Sequence, residues 1–174
     1  MNKNAFLDAK NSLLMVRILA RLDIERPGNE WLDKVISEVE NANGYQKKVP
    51  LVNQTVFLSM AYSTLVWLRE SYFKNKKAKK ALSNRVMPLF SNHKIKIDKG
   101  EKAKEIGEKA PIEFIRRIRN SLGHANVSIE DNYFIFYDVN PKEKTDSVKI
   151  KMSWHALGEL TEMVIAAGND VLFE

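Results

Sequence analysis

The apolar residues of this chain change period twice, and that change constrains the fold more than any other feature. Up to residue 124 they recur every three or four positions. From Asn126 to Met152 they alternate, and after Ser153 they return to helical spacing. A chain in this order is expected to be mainly α, a helical bundle with a small antiparallel β-sheet inserted before the last helix. In residues 4–24, Phe6, Leu13, Leu14, Val16, Ile18, Leu19, Leu22 and Ile24 give a broad apolar helix face. Arg26-Pro27-Gly28-Asn29 breaks that helix, and Asn29 is placed to cap the next. There Trp31, Leu32, Val35, Ile36 and Val39 form a stripe ending near Gly44. Val56 to Leu68 predicts a third, largely buried helix running to about Phe73.

Residues 74–109 are Lys-rich and apolar-poor outside Val86 to Phe90, which predicts a short helix and then an exposed loop. Pro111 suits the first position of a fourth helix, where its missing N–H is not needed. Within 126–152, strands are expected at Asn126–Glu130, Tyr133–Val139 and Val148–Met152, with turns at Asp131-Asn132 and Asn140-Pro141. Ser153 is placed to cap a last helix whose inner face is Leu157, Leu160, Val164, Ile165, Gly168, Val171 and Leu172. A length of 174 residues without internal repeat predicts one domain, 1–174.

Several chemistries drop out at once. The chain has no cysteine, so disulfides, thiolate zinc sites and cysteine nucleophiles are excluded. No GxGxxG or GxxxxGK[ST] string is present. Val49 to Leu68 carries no charge, but Pro50, Asn53, Gln54, Thr55, Ser59, Ser63 and Thr64 make it too polar for lipid on every face. Asp8, Lys10 and Arg17 interrupt any signal-peptide core. These features point to the cytoplasm and to no membrane partner.

Between Lys74 and Lys104, ten Lys and one Arg face only Asp98 and Glu101, a local net of +9 against +6 for the whole chain. A localised positive patch suits a phosphate backbone, and Lys76, Lys77, Lys79 and Lys80 are its densest part. A solvated lysine-rich loop that binds nothing explains the run equally well. Aromatics flank it at Tyr72, Phe73 and Phe90 without interleaving, so it offers little for base stacking.

The fourth helix is the site candidate. At about 100° per residue, Phe114, Ile115, Ile118 and Leu122 share an apolar arc, and Arg116, Arg117, Arg119, Asn120, Gly123 and His124 cover the opposite side. That side joins permanent cations, an amide, a residue without a side chain, and an imidazole. Gly123 would let a phosphate or a second helix come close to the backbone. The alternative is a merely wet face, with Gly123 as a left-handed cap. His93 lies in the basic loop and His155 in the first turn of the last helix, and no pair has the His-x3-His spacing of a helical zinc site. No metal and no cofactor are expected.

Arg119-Asn120-Ser121-Leu122-Gly123-His124 is similar to the Arg-x4-His motif of HEPN domains, with a polar residue directly after the arginine. The run Ile118 to Val127, then Phe136-Tyr137-Asp138 and Asn140-Pro141, resembles plasmid- and phage-defence-associated HEPN proteins. The resemblance is specific over residues 111–172, whereas the first 73 residues agree only in being helical. It implies a metal-independent endoribonuclease working as a homodimer in a defence or toxin role. Arg119 and His124 would be the catalytic pair and Asn120 their polar support. RNA would be held by Arg116, Arg117, Lys76, Lys77, Lys79 and Lys80. Some HEPN toxins carry a tyrosine two positions after the histidine that a partner nucleotidyltransferase modifies. This chain has Asn126 there, which speaks against control by that route and implies no cognate antitoxin; an antitoxin or other protein partner of another kind is left open. The resemblance also admits a non-catalytic module that binds RNA or nucleotide or scaffolds a partner. The charge pattern alone admits a third reading, a helical interaction protein whose basic loop docks an acidic protein.

Overall fold

The computed structural model describes residues 3–66 and 76–172. Helix α1, Lys3–Glu25, ends in a 3-10 turn at Arg26–Gly28, and α2 spans Glu30–Ala42. Asn29 caps α2 as expected, its side chain accepting the Leu32 N–H at 3.0 Å. Helix α3, Gln54–Ala61, runs on as a π-helical segment at Tyr62–Val66. Then come α4 at Lys76–Asn92, β1 at Lys96–Lys99, α5 at Pro111–Gly123, β2 at Val127–Glu130, β3 at Tyr133–Asn140, β4 at Glu143–Ser153 and α6 at Trp154–Leu172. Ser153 caps α6 through the Ala156 N–H at 3.2 Å.

Three expectations are corrected. Of the segment 74–109, the described residues 76–109 do not form a short helix and a loop. Ala78, Leu82, Val86 and Leu89 are all buried at helical spacing, so α4 is a core helix of 17 residues whose stripe is one residue wide. The lysines on its other faces mask that stripe in any average over the segment. The sheet has a fourth strand, β1, which precedes α5, so it is not a single insertion before the last helix. Its order is β1-β4-β3-β2, all antiparallel. Gly100 makes the return from β1 fit, because a Cβ there would lie 2.3 Å from the Thr145 carbonyl oxygen.

The third correction concerns α3, and α2, a helix where one was expected, carries its stripe mostly in solvent. Only Leu32 of the α2 stripe is buried, and Trp31 is 71% exposed. Polar contacts hold α2 instead. The buried Arg26 guanidinium donates to Asp33 and Glu40, each at 2.8 Å, and Glu40 also accepts the Val49 N–H at 2.7 Å. The Asp23 carboxylate accepts the N–H groups of Leu51 and Val52. Helix α3 is amphipathic, with Met60 and Ala61 buried and Tyr62 exposed; its expected extension to Phe73 falls outside the described residues.

The core lies between the helices and one face of the sheet. Phe134, Phe136, Val148, Ile150 and Met152 point inward against Phe114, Ile118, Leu157 and Leu160. Helix α4 runs antiparallel to α6, since Arg85 pairs with Asp170 and His93 with Glu159. Phe57 of α3 meets Trp154 edge-on, and Phe90 meets Phe114 in the same way. No described helix is long and apolar enough to cross a membrane.

Candidate active site

Helix α5 ends where its polar face meets the sheet. His124 is its C-cap, Ala125 adopts a left-handed φ of 54°, and the Asn126 and Ala125 N–H groups bond the Ser121 and Leu122 carbonyls at 2.8 and 3.2 Å. This pair of bonds is a Schellman termination. Ala125, not Gly123, is the left-handed residue. Gly123 is helical and exposed, and a Cβ on it would meet nothing within 4 Å.

Beside this terminus Arg116, Asn120, His124, Asp138, Asn140 and Asp146 line a cleft of about 230 Å³. Asn120 is held from both sides. Its amide donates to Asp138 at 3.3 Å, and its oxygen accepts from the Arg119 guanidinium at 2.7 Å. Arg119 therefore lies half-buried next to the cleft, tied to it through Asn120, while His124 is exposed. The structure brings Arg119, Asn120 and His124 together on one helix end.

Arg117 departs from its expected place on the exposed, RNA-facing side. It is 2% exposed. Its guanidinium donates to Glu113 on its own helix at 3.0 Å, to Asp138 of β3 at 3.0 Å, and to Asp146 of β4. It clamps the helix end to the sheet and fixes the carboxylate that orients Asn120. Arg116 lines the cleft with its charge met by Glu113 at 2.7 Å. Burial alone would raise the carboxyls of Glu113 and Asp146. The arginine hydrogen bonds outweigh it and hold both below their ordinary values. Three carboxylates face two guanidiniums here, so the floor of the cleft is net negative if all are ionised.

The lysine cluster sits elsewhere. Lys76, Lys77, Lys79 and Lys80 begin α4, more than one turn before Arg85, whose partner Asp170 lies near the end of α6. The motif end of α5 instead packs beside Leu58 and Tyr62, in the helix whose Phe57 touches Trp154 at the start of α6. The two groups thus lie toward opposite ends of a 19-residue helix, which is about 28 Å long at 1.5 Å per residue.

A sequence model of the family described as HEPN pEK499 p136 matches residues 1–167. The chain belongs to this HEPN family. The match takes in the N-terminal helices, well beyond the residues over which the motif's surroundings carry the resemblance. No curated protein and no solved structure matches this HEPN chain. Sequence reasoning missed Glu113, Asp138 and Asp146 as partners of the motif. The spacing of Glu113 and Arg117, four apart on a helix, was the available signal for one of them. The other two depend on the β3–β4 register.

Proposed function

We propose that this HEPN protein is a metal-independent endoribonuclease that acts as a dimer in a defence or toxin role, with Arg119 and His124 as catalytic residues. The observation that carries the reading is Gly123. A helical glycine costs about 0.5–1 kcal/mol relative to alanine. Its φ is not left-handed, and a Cβ would touch nothing. Nothing among the described residues fills the place of the missing side chain, so the backbone there is open to something that approaches from outside. The last turn and a half of the helix, through its C-cap, then presents a cation, an amide held in one orientation, an open backbone and an imidazole.

Attack of an RNA 2′-OH on the adjacent phosphate needs a proton acceptor, a proton donor to the 5′-oxygen, and positive charge on the phosphorane oxygens. One histidine does not serve readily as both acceptor and donor. Two motif helices facing across a two-fold axis supply two histidines and two arginines. The phosphate belongs on the outer rim, against Arg119, Gly123 and His124, because the carboxylates behind Asn120 would repel it. Those carboxylates position the amide and, through it, the Arg119 fork. Arg116 and the lysines of α4 add phosphate contacts along a longer RNA. The defence or toxin role rests on the family resemblance alone.

The net negative floor favours a second reading, a HEPN module that has kept the motif's shape and binds RNA or nucleotide without cleaving it. RNA cleavage by the purified chain separates the two. With EDTA present, the wild type should leave 2′,3′-cyclic phosphate ends, and Arg119→Ala and His124→Ala should each slow cleavage by at least about 100-fold. A wild type inert on every RNA would establish the second reading, and activity surviving both variants would remove these residues from the mechanism.

A further inference from the structure

The sheet has a second face, turned away from the helices. Across it run two rows set by the strand register. One is Asn126, Tyr137, Lys149 and Asp98; the next is Ser128, Ile135, Lys151 and Lys96. Tyr137 is 48% exposed on the central strand β3, directly opposite Lys149 on β4. Four residues back on the same strand, about 13 Å at 3.3 Å per residue, Tyr133 is 40% exposed with the Lys151 ammonium 5.0 Å from its ring centre. Lys151 also pairs with Glu130 at 3.1 Å. Tyr137, Lys149 and Lys96 form no ring contact or ion pair among the described residues.

Two features of this face ask for an anionic, flat-ringed occupant. Lys96 stands directly opposite Lys151, whose charge Glu130 already meets, and Asp98 stands opposite Lys149, so the three lysines of this face exceed its two facing carboxylates by one. An exposed aromatic flanked by lysines on an antiparallel sheet is the arrangement on which unstacked bases are held. Its position adds a direction. Tyr137 bonds through its N–H to the Asn126 carbonyl, two residues beyond His124, and the next residues of β3, Asp138 to Asn140, line the cleft.

We propose that the outer face of the sheet is a platform for single-stranded RNA, with one base stacked on Tyr137 and the neighbouring phosphates met by Lys149, Lys151 and Lys96. The strand would run off this platform toward the motif at the end of α5. The direction of travel rests on the ribonuclease reading; the binding itself does not.

The test is binding of a fluorescent 2′-O-methyl oligonucleotide to the full chain, because that probe has no 2′-OH to attack and stays intact. Tyr137→Ala should weaken single-strand binding about tenfold, and Tyr137→Phe should keep it, since stacking needs the ring and not the hydroxyl. Lys149→Gln with Lys96→Gln should lower the salt slope by about 1.4, at roughly 0.7 per phosphate contact. Should Tyr137→Ala fail to fold, Lys149→Glu on the exposed surface is expected to weaken binding at least as much. Binding untouched by the variants that fold would overturn the platform, as would duplex binding as tight as single strand. Variants that alter only sedimentation would overturn it too, making this face a contact between copies. Loss of binding in Tyr137→Ala alongside a wild type that cleaves no RNA would uphold the platform and reject the ribonuclease.

Discussion

Substituting Gly123 with alanine should make the protein more stable and less active. The residue is helical, lies in the last turn of α5, and has nothing within 4 Å of the place a Cβ would take. The native backbone therefore accepts alanine without strain, and the gain is that of glycine to alanine in a helix, about 0.5–1 kcal/mol. For a chain of 174 residues, that amounts to a rise of about 1–4 °C in Tm. If a second motif helix or a phosphate comes against this backbone, the added methyl overpacks the contact at a cost of about 1–3 kcal/mol. Denaturant unfolding at high dilution reads the first effect on the isolated chain. Sedimentation and RNA cleavage at higher concentration read the second, with cleavage or dimer affinity falling about tenfold or more. Higher stability with unchanged cleavage and unchanged association would refute the reasoning, because Gly123 would then serve nothing outside the chain.

Arg117→Met should destabilise by about 3–5 kcal/mol in denaturant unfolding at neutral pH, since three carboxylates lose a shared buried partner. Glu113 and Asp146 have folded-state pKa values below the ordinary carboxylate range. Their contribution is full above that range and lost as pH falls below it, so an acid titration of stability should show a fall there that Arg117→Met flattens. Ala125→Gly should stabilise by about 1 kcal/mol, because the left-handed φ strains alanine and not glycine. Neutralising Lys76, Lys77, Lys79 and Lys80 should flatten the salt slope for long RNA but leave short oligonucleotides unaffected, given their distance from the motif.

How much of this was legible in the sequence depended on whether a signal was local. The motif helix, its Pro111 start, both asparagine and serine caps, and the strands of the alternating stretch are set by neighbours within a turn or a strand. Helix α4 was obscured because one buried residue per turn, from Ala78 to Leu89, is outvoted by lysines that need only solvent. Strand β1 does alternate, Lys94-Ile95-Lys96-Ile97-Asp98, but two isoleucines inside a lysine-rich run are too short a signal to stand out, and only the length of β4 shows that it has a partner. The α2 stripe has the helical spacing that marks the helix, but spacing does not reveal that Arg26 and Glu40 fix it by polar bonds and leave Trp31, Val35 and Val39 exposed. At the site, Arg119, Asn120 and His124 were visible together as one short run. Arg117 looked equivalent to its neighbours, because only the β3–β4 register reveals the two aspartates that draw it inward.

The central claim is a composite site made by two copies of the Arg119–His124 helix end. Its most direct measurement is cleavage in EDTA by dimers refolded together from wild-type and His124→Ala chains. If both histidines of a pair are needed, mixed dimers are silent, and an equal mixture retains about half the activity per wild-type chain by random pairing. Activity per wild-type chain that does not change on mixing would contradict the shared site.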